Sequence, residues 1–222
     1  LSLAYDADIV LDLHCDYQAV LHVYMGESLW PRDRDLSAQL GAETTLLADD
    51  SGVTPFDEAC SRLWFELAAS FPTHPIPPAC LAATVELRGL ADLTHGMAGQ
   101  DADNIVTFLT RRGLIRGQVS TLPELPREAT PLSGVEHIKA PCPGVVVFFK
   151  DAGDAVAAGD VVAEVINPLA GTSNDRVHPI KATTEGIVFA RSVDRFARPG
   201  RILAKIAGRK PLKNEGDNLL TA

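Results

Sequence analysis

The sequence predicts an α/β layer structure followed by a linker and a small all-β domain, and three observations carry that expectation. The first is a pair of aliphatic runs with chemistry embedded in them: Ile9-Val10-Leu11-Asp12-Leu13-His14-Cys15-Asp16 and Leu81-Ala82-Ala83-Thr84-Val85-Glu86-Leu87-Arg88-Gly89. The second is the alternation of such runs with segments whose apolar residues recur at helical spacing. The third is an internal repeat near the C-terminus, in which short Val/Ile/Phe runs are punctuated by Gly, Pro and Asp.

The elements follow in order. Ile9–His14 has four apolar residues among its first five and reads as a buried strand. Ala19–Tyr24 reads as a second strand. Leu36, Leu40 and Leu47 predict a helix over Asp33–Leu47, and Leu63 and Leu67 predict another over Asp57–Ala69, opened by Pro55. Leu81–Leu87 is a strand with one carboxylate inside it, which is costly unless paired, hydrogen-bonded or used. Gln100–Arg111 is a helix with Ile105, Val106 and Leu109 on one face and Gly113 as its stop. These make up a first domain over residues 1–118. Residues 119–136 are Pro-rich, lack periodicity and read as a linker.

Residues 137–208 contain the repeat. Lys139-Ala140, Gly144-Val145-Val146-Val147 and Gly159–Val165 correspond to Lys181-Ala182, Gly186-Ile187-Val188-Phe189 and Gly200–Ile206. Each glycine permits a turn or a close approach that a β-carbon forbids. Two interlocked copies close a core that neither closes alone, and the polar tail 209–222 is expected to fray.

Composition excludes several classes. A net charge of −9 opposes binding to nucleic acid or to an anionic membrane. No run of apolar residues is long enough for a transmembrane helix. The start, Leu1–Asp6, has no basic region ahead of an apolar one, which opposes a signal peptide. It also lacks an initiator Met, so the natural N-terminus is expected to be missing or to have been processed away. Cys15, Cys60, Cys80 and Cys142 form no CxxC and read as free thiols in a cytoplasmic chain. Oligomeric state is left open, a homo-oligomer included.

The segments Asp12-Leu13-His14-Cys15-Asp16 and Thr84-Val85-Glu86-Leu87-Arg88-Gly89, followed by the 100–113 helix and the β module, resemble the succinylglutamate desuccinylase/aspartoacylase family. That family belongs to the zinc carboxypeptidase-like hydrolases. The similarity runs from residue 1 to about residue 208. It implies that residues 1–118 are the C-terminal part of a zinc-carboxypeptidase-like mixed sheet with helices. It implies a barrel-sandwich fold, like that of biotinyl and lipoyl domains, for residues 137–208. The implied activity is that of a zinc-dependent deacylase cleaving the amide of a small N-acyl amino acid. The implied zinc site has three protein ligands: a His and a Glu from an early His-x-x-Glu segment, and a later His. His14 matches the later His. His74, His95, His137 and His178 lack a Glu three residues on, and His22 is followed there by Met25. The early segment, with the Arg and Asn residues that clamp substrate, is therefore expected upstream of Leu1.

Under the same resemblance Glu86 is the general base for a zinc-bound water. Without it, Glu86 is a buried acid paired with Arg88 or another cation. Asp12, His14 and Asp16 share strand parity and face one way. Asp12 then orients a metal-bound imidazole or makes a structural hydrogen bond. Asp16 lines the pocket or caps a turn. Cys15 points the other way, into packing. Arg88 grips a substrate carboxylate bidentately or forms a structural salt bridge. The rival function is a non-catalytic α/β plus barrel-sandwich protein that serves in assembly or binding. A swinging-arm carrier is excluded, because the hairpin Ala163–Pro168 has no lysine to modify.

Overall fold

β-Branched and aliphatic runs become strands here because each finds a neighbour to pair with and a face to bury. The structure is a computed structural model that describes residues 4, 6–171, 176–212 and 219–220. The first half runs β1 (Ile9–Asp16), β2 (Gln18–Ala19), β3 (Leu21–Met25), α1 (Trp30–Asp33), α2 (Asp35–Leu40), β4 (Thr44–Leu47), α3 (Phe56–Ser70), β5 (Leu81–Gly89), α4 (His95–Arg111) and β6 (Thr130–Pro131). A 3₁₀ turn, Leu132–Gly134, leads into β7 (Val135–Lys139), β8 (Gly144–Phe148), β9 (Ala155–Val156) and β10 (Val161–Ile166). The chain then continues through β11 (Val177–Lys181), β12 (Gly186–Arg191), β13 (Phe196–Ala197) and β14 (Ile202–Gly208).

The first sheet has the order β1-β5-β3-β4-β6. It is mixed: β1 and β5 are parallel, β5 and β3 antiparallel, and β3, β4 and β6 parallel. One face, with Leu21, Val23, Ala83 and Val85, packs on Leu36 and Leu40 of α2 and Phe108 of α4. On the other face Val10 and Ala82 meet Cys60 and Trp64 of α3. Two further sheets, ordered β11-β10-β8-β13 and β2-β12-β14-β7, enclose a core that includes Val146, Val162, Val165, Val188, Leu203 and Ile206. A separate apolar cluster joins Ala19 and Leu46 to Val135, Ile187 and Phe189. No helix among the described residues is long and apolar enough to cross a membrane.

Several expectations need correction. Among the described residues β1 stands at the sheet edge: only Val10 of its eight residues is buried, and Leu13 is 51% exposed. The Ala19–Tyr24 strand is two strands, because the chain changes sheets at Val20. β2 pairs with β12, and β3 enters the first sheet. The helix expected over Asp33–Leu47 stops at Leu40. Gly41 takes a left-handed φ of 70° and its N–H closes the turn onto the Ser37 and Ala38 carbonyls. The β-branched pair Thr44-Thr45 then opens β4. α4 begins at His95, five residues before Gln100, with the Thr94 hydroxyl accepting the Met97 N–H at 3.2 Å. Within the 119–136 segment, Thr130 and Pro131 pair with β4. Residues 213–218 and 221–222 of the tail lie outside the described residues, as do residues 1–3 and 5.

The repeat has a consistent structural basis. A Cβ on Gly144 would strike the Ile166 carbonyl, and one on Gly186 would strike the Ala207 carbonyl. The second pair of equivalent glycines, Gly159 and Gly200, turn with φ of 96° and 79°. The four cysteines are free thiols.

Candidate active site

β5 lies between β1 and β3, so its middle residues have neighbours on both sides. Glu86 pairs in register with His14 on one side and His22 on the other. Two residues earlier, Thr84 pairs with Asp12 and Tyr24. Registered neighbours project to one face of a sheet, so these six side chains form two rows on that face. They stand near the carboxyl ends of the parallel pair β1 and β5, where α/β sheets commonly place binding sites.

Two cavities flank Glu86. The larger, about 420 Å³, is lined by His14, Tyr24, Asp57, Glu58, Thr84 and Lys205 together with Glu86. The smaller, about 220 Å³, is lined by Cys15, Asp16, Arg191, Arg201 and Lys205 together with Glu86. Glu86 and Lys205 thus border both. Lys205 comes from β14, so the C-terminal sheets supply a wall of the site.

The Glu86 carboxyl is pushed up to about 6, first by burial and then by the charge of Asp16, against the opposing pull of His14 and Lys205. Its Oε2 is buried and has no hydrogen-bond partner among the described residues. His14 Nε2 stands 3.2 Å from Asp12 Oδ2. Its side chain is 51% exposed. Asp16 accepts the Tyr17 N–H at 2.6 Å and pairs with Lys205 Nζ at 3.3 Å. A register shift between His14 and Asp16 turns the end of β1 toward the smaller cavity. The same shift leaves Cys15 exposed on that cavity rather than packed inside, correcting its expected role. Arg88 lines neither cavity. Its φ of 73° breaks the strand alternation, and its guanidinium grips Asp101 of α4 at 2.7 and 3.0 Å.

The sequence pattern did not point to Asp57, Tyr24, His22 or Lys205. Asp57 reads as an ordinary acid in the first turn of a helix, and Lys205 as one repeat position among several. His22 is fully buried, with Nδ1 2.8 Å from the Val20 carbonyl and its ring edge-on to Phe189. Burial lowers its pKa to about 4. Burial and the nearby Glu86 raise that of Tyr24.

Zinc requires three protein ligands at a catalytic site. Among the described residues no group of three or more His, Cys, Asp or Glu converges to hold a metal. His14 is one imidazole with its Asp12 partner, so the described residues do not by themselves fit the ion.

The strand order, the paired imidazole and carboxylate, and the buried acid beside a cavity define a mixed α/β protein with a strand-end site. Its fold is that of succinylglutamate desuccinylase/aspartoacylase family proteins over most of the chain. One such protein, from Shewanella amazonensis SB2B, matches with TM-score 0.80 and 26% identity, over 93% of this chain and 56% of its own. Another, from Shewanella frigidimarina NCIMB 400, matches with TM-score 0.81 and 23% identity, over 96% of this chain and 57% of its own. The ectoine utilization protein EutE (DoeB) of Ruegeria pomeroyi shares the fold at TM-score 0.68 and 16% identity, over 91% of this chain and 58% of its own. The chain therefore spans less than two thirds of the length of these structures. No protein-family model and no curated protein matches the sequence.

Proposed function

We propose that this chain is the site-bearing part of a deacylase that hydrolyses the amide bond of an N-acyl amino acid or a similar small molecule, with Glu86 as general base. The observation that carries the proposal is the state of Glu86. It is a partly buried carboxyl, raised to about 6, with an unpartnered oxygen, bordering both cavities and registered beside His14. A base poised near neutral pH both takes a proton and returns it.

The attacking water gives its proton to Glu86 as its oxygen bonds to the amide carbonyl carbon. The C–N bond then breaks, and Glu86 passes the proton to the leaving nitrogen. A carboxylic acid and a free amine result, and the acid's remaining proton passes to the amine to give carboxylate and ammonium. Asp12 fixes the orientation of the His14 ring through the 3.2 Å contact. Lys205 stands where developing negative charge meets a cation.

Zinc enters this proposal only through its ligands. His14 is the ligand this chain contributes, and the reading requires further ligands besides it. The two C-terminal sheets form a barrel-sandwich module whose part is to wall the site.

The test uses the full-length protein and N-acyl amino acids. Glu86→Gln is expected to keep zinc content and substrate affinity while losing about 10²–10⁴ in kcat. His14→Ala is expected to lose metal and activity together. Near-normal turnover in Glu86→Gln would exclude Glu86 as the base, and absence of zinc from the wild-type protein would favour the non-catalytic binding reading.

A further inference from the structure

We infer that Asp57 forms an ammonium-binding corner of the larger cavity, so that the site takes a ligand carrying a protonated amine on a short aliphatic arm. This deepens the deacylase reading by naming a substrate class. It rests on that reading only for placing the reacting carbonyl at Glu86.

Asp57 lies in the first turn of α3, behind Pro55, and is 6% exposed. It lines the larger cavity, and its buried Oδ1 has no hydrogen-bond partner among the described residues. The helix start and the Thr84 hydroxyl favour its charged form through hydrogen bonds, yet burial outweighs them and raises its pKa. A buried carboxylate with one empty oxygen is costly until a cation or a donor meets it.

Among the described residues, the basic side chains near this wall already have partners. Lys205 pairs with Asp16. Arg62 is shared among Asp50, Glu58 and Glu66. His14 faces Asp12. The neighbouring acid Glu58 is likewise occupied, accepting from the Ser51 hydroxyl at 2.6 Å and the Ser51 N–H at 3.1 Å. Besides Glu86, which the deacylase reading assigns to the reaction, Asp57 is thus the acid of this cavity wall with a partnerless oxygen among the described residues. An ammonium supplies the missing charge and up to three N–H donors. A carboxylate arm in the same place meets Asp57, Glu58 and Glu86 and is repelled.

Position sets the reach. Thr84 touches Asp57 and stands two residues before Glu86 on β5. That separation is about 7 Å along a strand. An arm of a few methylenes spans it, with the reacting group at Glu86 and the ammonium at Asp57.

The experiment is calorimetric titration of the chain with ornithine, its neutral isostere norleucine, and glutamate. Wild type is expected to bind ornithine about 10–100-fold tighter than norleucine, the factor one charge-assisted contact supplies. Glutamate is expected to bind no better than norleucine. Asp57→Asn is expected to erase the ornithine preference and keep norleucine affinity. Equal binding of ornithine and norleucine by wild type, no ornithine binding, or a preference that survives in a folded Asp57→Asn overturns the inference. The wild-type contrast decides even where the variant does not fold. Full-length protein assayed on N-acyl-ornithine and N-acyl-norleucine separates the two readings. Ornithine selectivity in binding with no hydrolysis of either defeats the deacylase and leaves this corner standing. Hydrolysis of both without preference does the reverse.

Discussion

His22 is a buried imidazole beneath the site, with its Nδ1 on the Val20 carbonyl and its Nε2 without a partner among the described residues. Burial lowers its pKa from 6.5 to about 4, so the folded protein resists a proton that the unfolded chain accepts. The stability this neutral ring contributes is full above pH 6.5 and is lost as pH falls from 6.5 through about 4. At pH 5 the loss is about 2 kcal/mol. Glu86 acts in the opposite sense. Its raised carboxyl makes the fold lose stability as pH rises from 4.5 through about 6. The readout is therefore a difference: urea midpoints at pH 7 and pH 5 for wild type and His22→Gln. Wild type is expected to lose about 2 kcal/mol more than the variant between those pH values, and equal pH responses would mean that His22 is not the titrating group. At this scale the sequence announced His14, Asp12 and Glu86, because polar groups inside aliphatic runs stand out. It was silent on His22, Asp57 and Lys205, because what matters there is what comes to face them. A histidine in a mixed run, an acid at a helix start and a lysine in a repeat all have ordinary local explanations.

The paired glycines of the repeat show how an element can be legible in sequence when its reason is steric. Gly144 and Gly186 occupy equivalent places, and at each the partner strand's carbonyl fills the space a Cβ needs. Gly200 instead turns at φ 79° with open space around it. The two kinds of glycine should respond differently. Gly186→Ala has to displace backbone and is expected to cost more than about 2 kcal/mol. Gly200→Ala carries only the left-handed backbone penalty of about 1–2 kcal/mol, and Gly200→Asn should recover much of it. Denaturant titration of the three variants checks this ordering, and a Gly186→Ala variant as stable as wild type would remove the close approach as the reason for that glycine. The helix expected over Asp33–Leu47 failed for a related reason. Leu36, Leu40 and Leu47 satisfy helical spacing, yet Gly41 sits between them in the conformation that ends a helix. Leu46 and Leu47 then belong to a strand, where spacing of four and seven carries no meaning.

Across the whole molecule the two halves share structure rather than merely touching. β2 belongs by sequence to the first half and pairs with β12 of the second. Gln18 Oε1 accepts from Arg191 Nε at 2.9 Å, and the Val20 N–H reaches the Phe189 carbonyl at 3.0 Å. Asp16 meets Lys205 across the same seam. Beneath these polar links Ala19 and Leu46 share a cluster with Ile187, Phe189 and Ala190. Opening either half therefore exposes apolar surface that the other had covered, and Phe189, now 1% exposed, would face water. The site has the same dependence, because Lys205 and the smaller cavity exist only while the seam is closed. Unfolding is thus expected to be one cooperative transition. Trp30 and Trp64, the protein's two tryptophans, both lie in the first half, so their fluorescence follows that half alone. Far-UV circular dichroism also senses the strands of the second. In urea at pH 7 the two signals should give the same midpoint. Phe189→Ala should shift both together by about 3–5 kcal/mol. Separate midpoints for fluorescence and dichroism in the wild-type chain would show that the halves unfold independently, and that the seam closes the site without binding the fold into one unit.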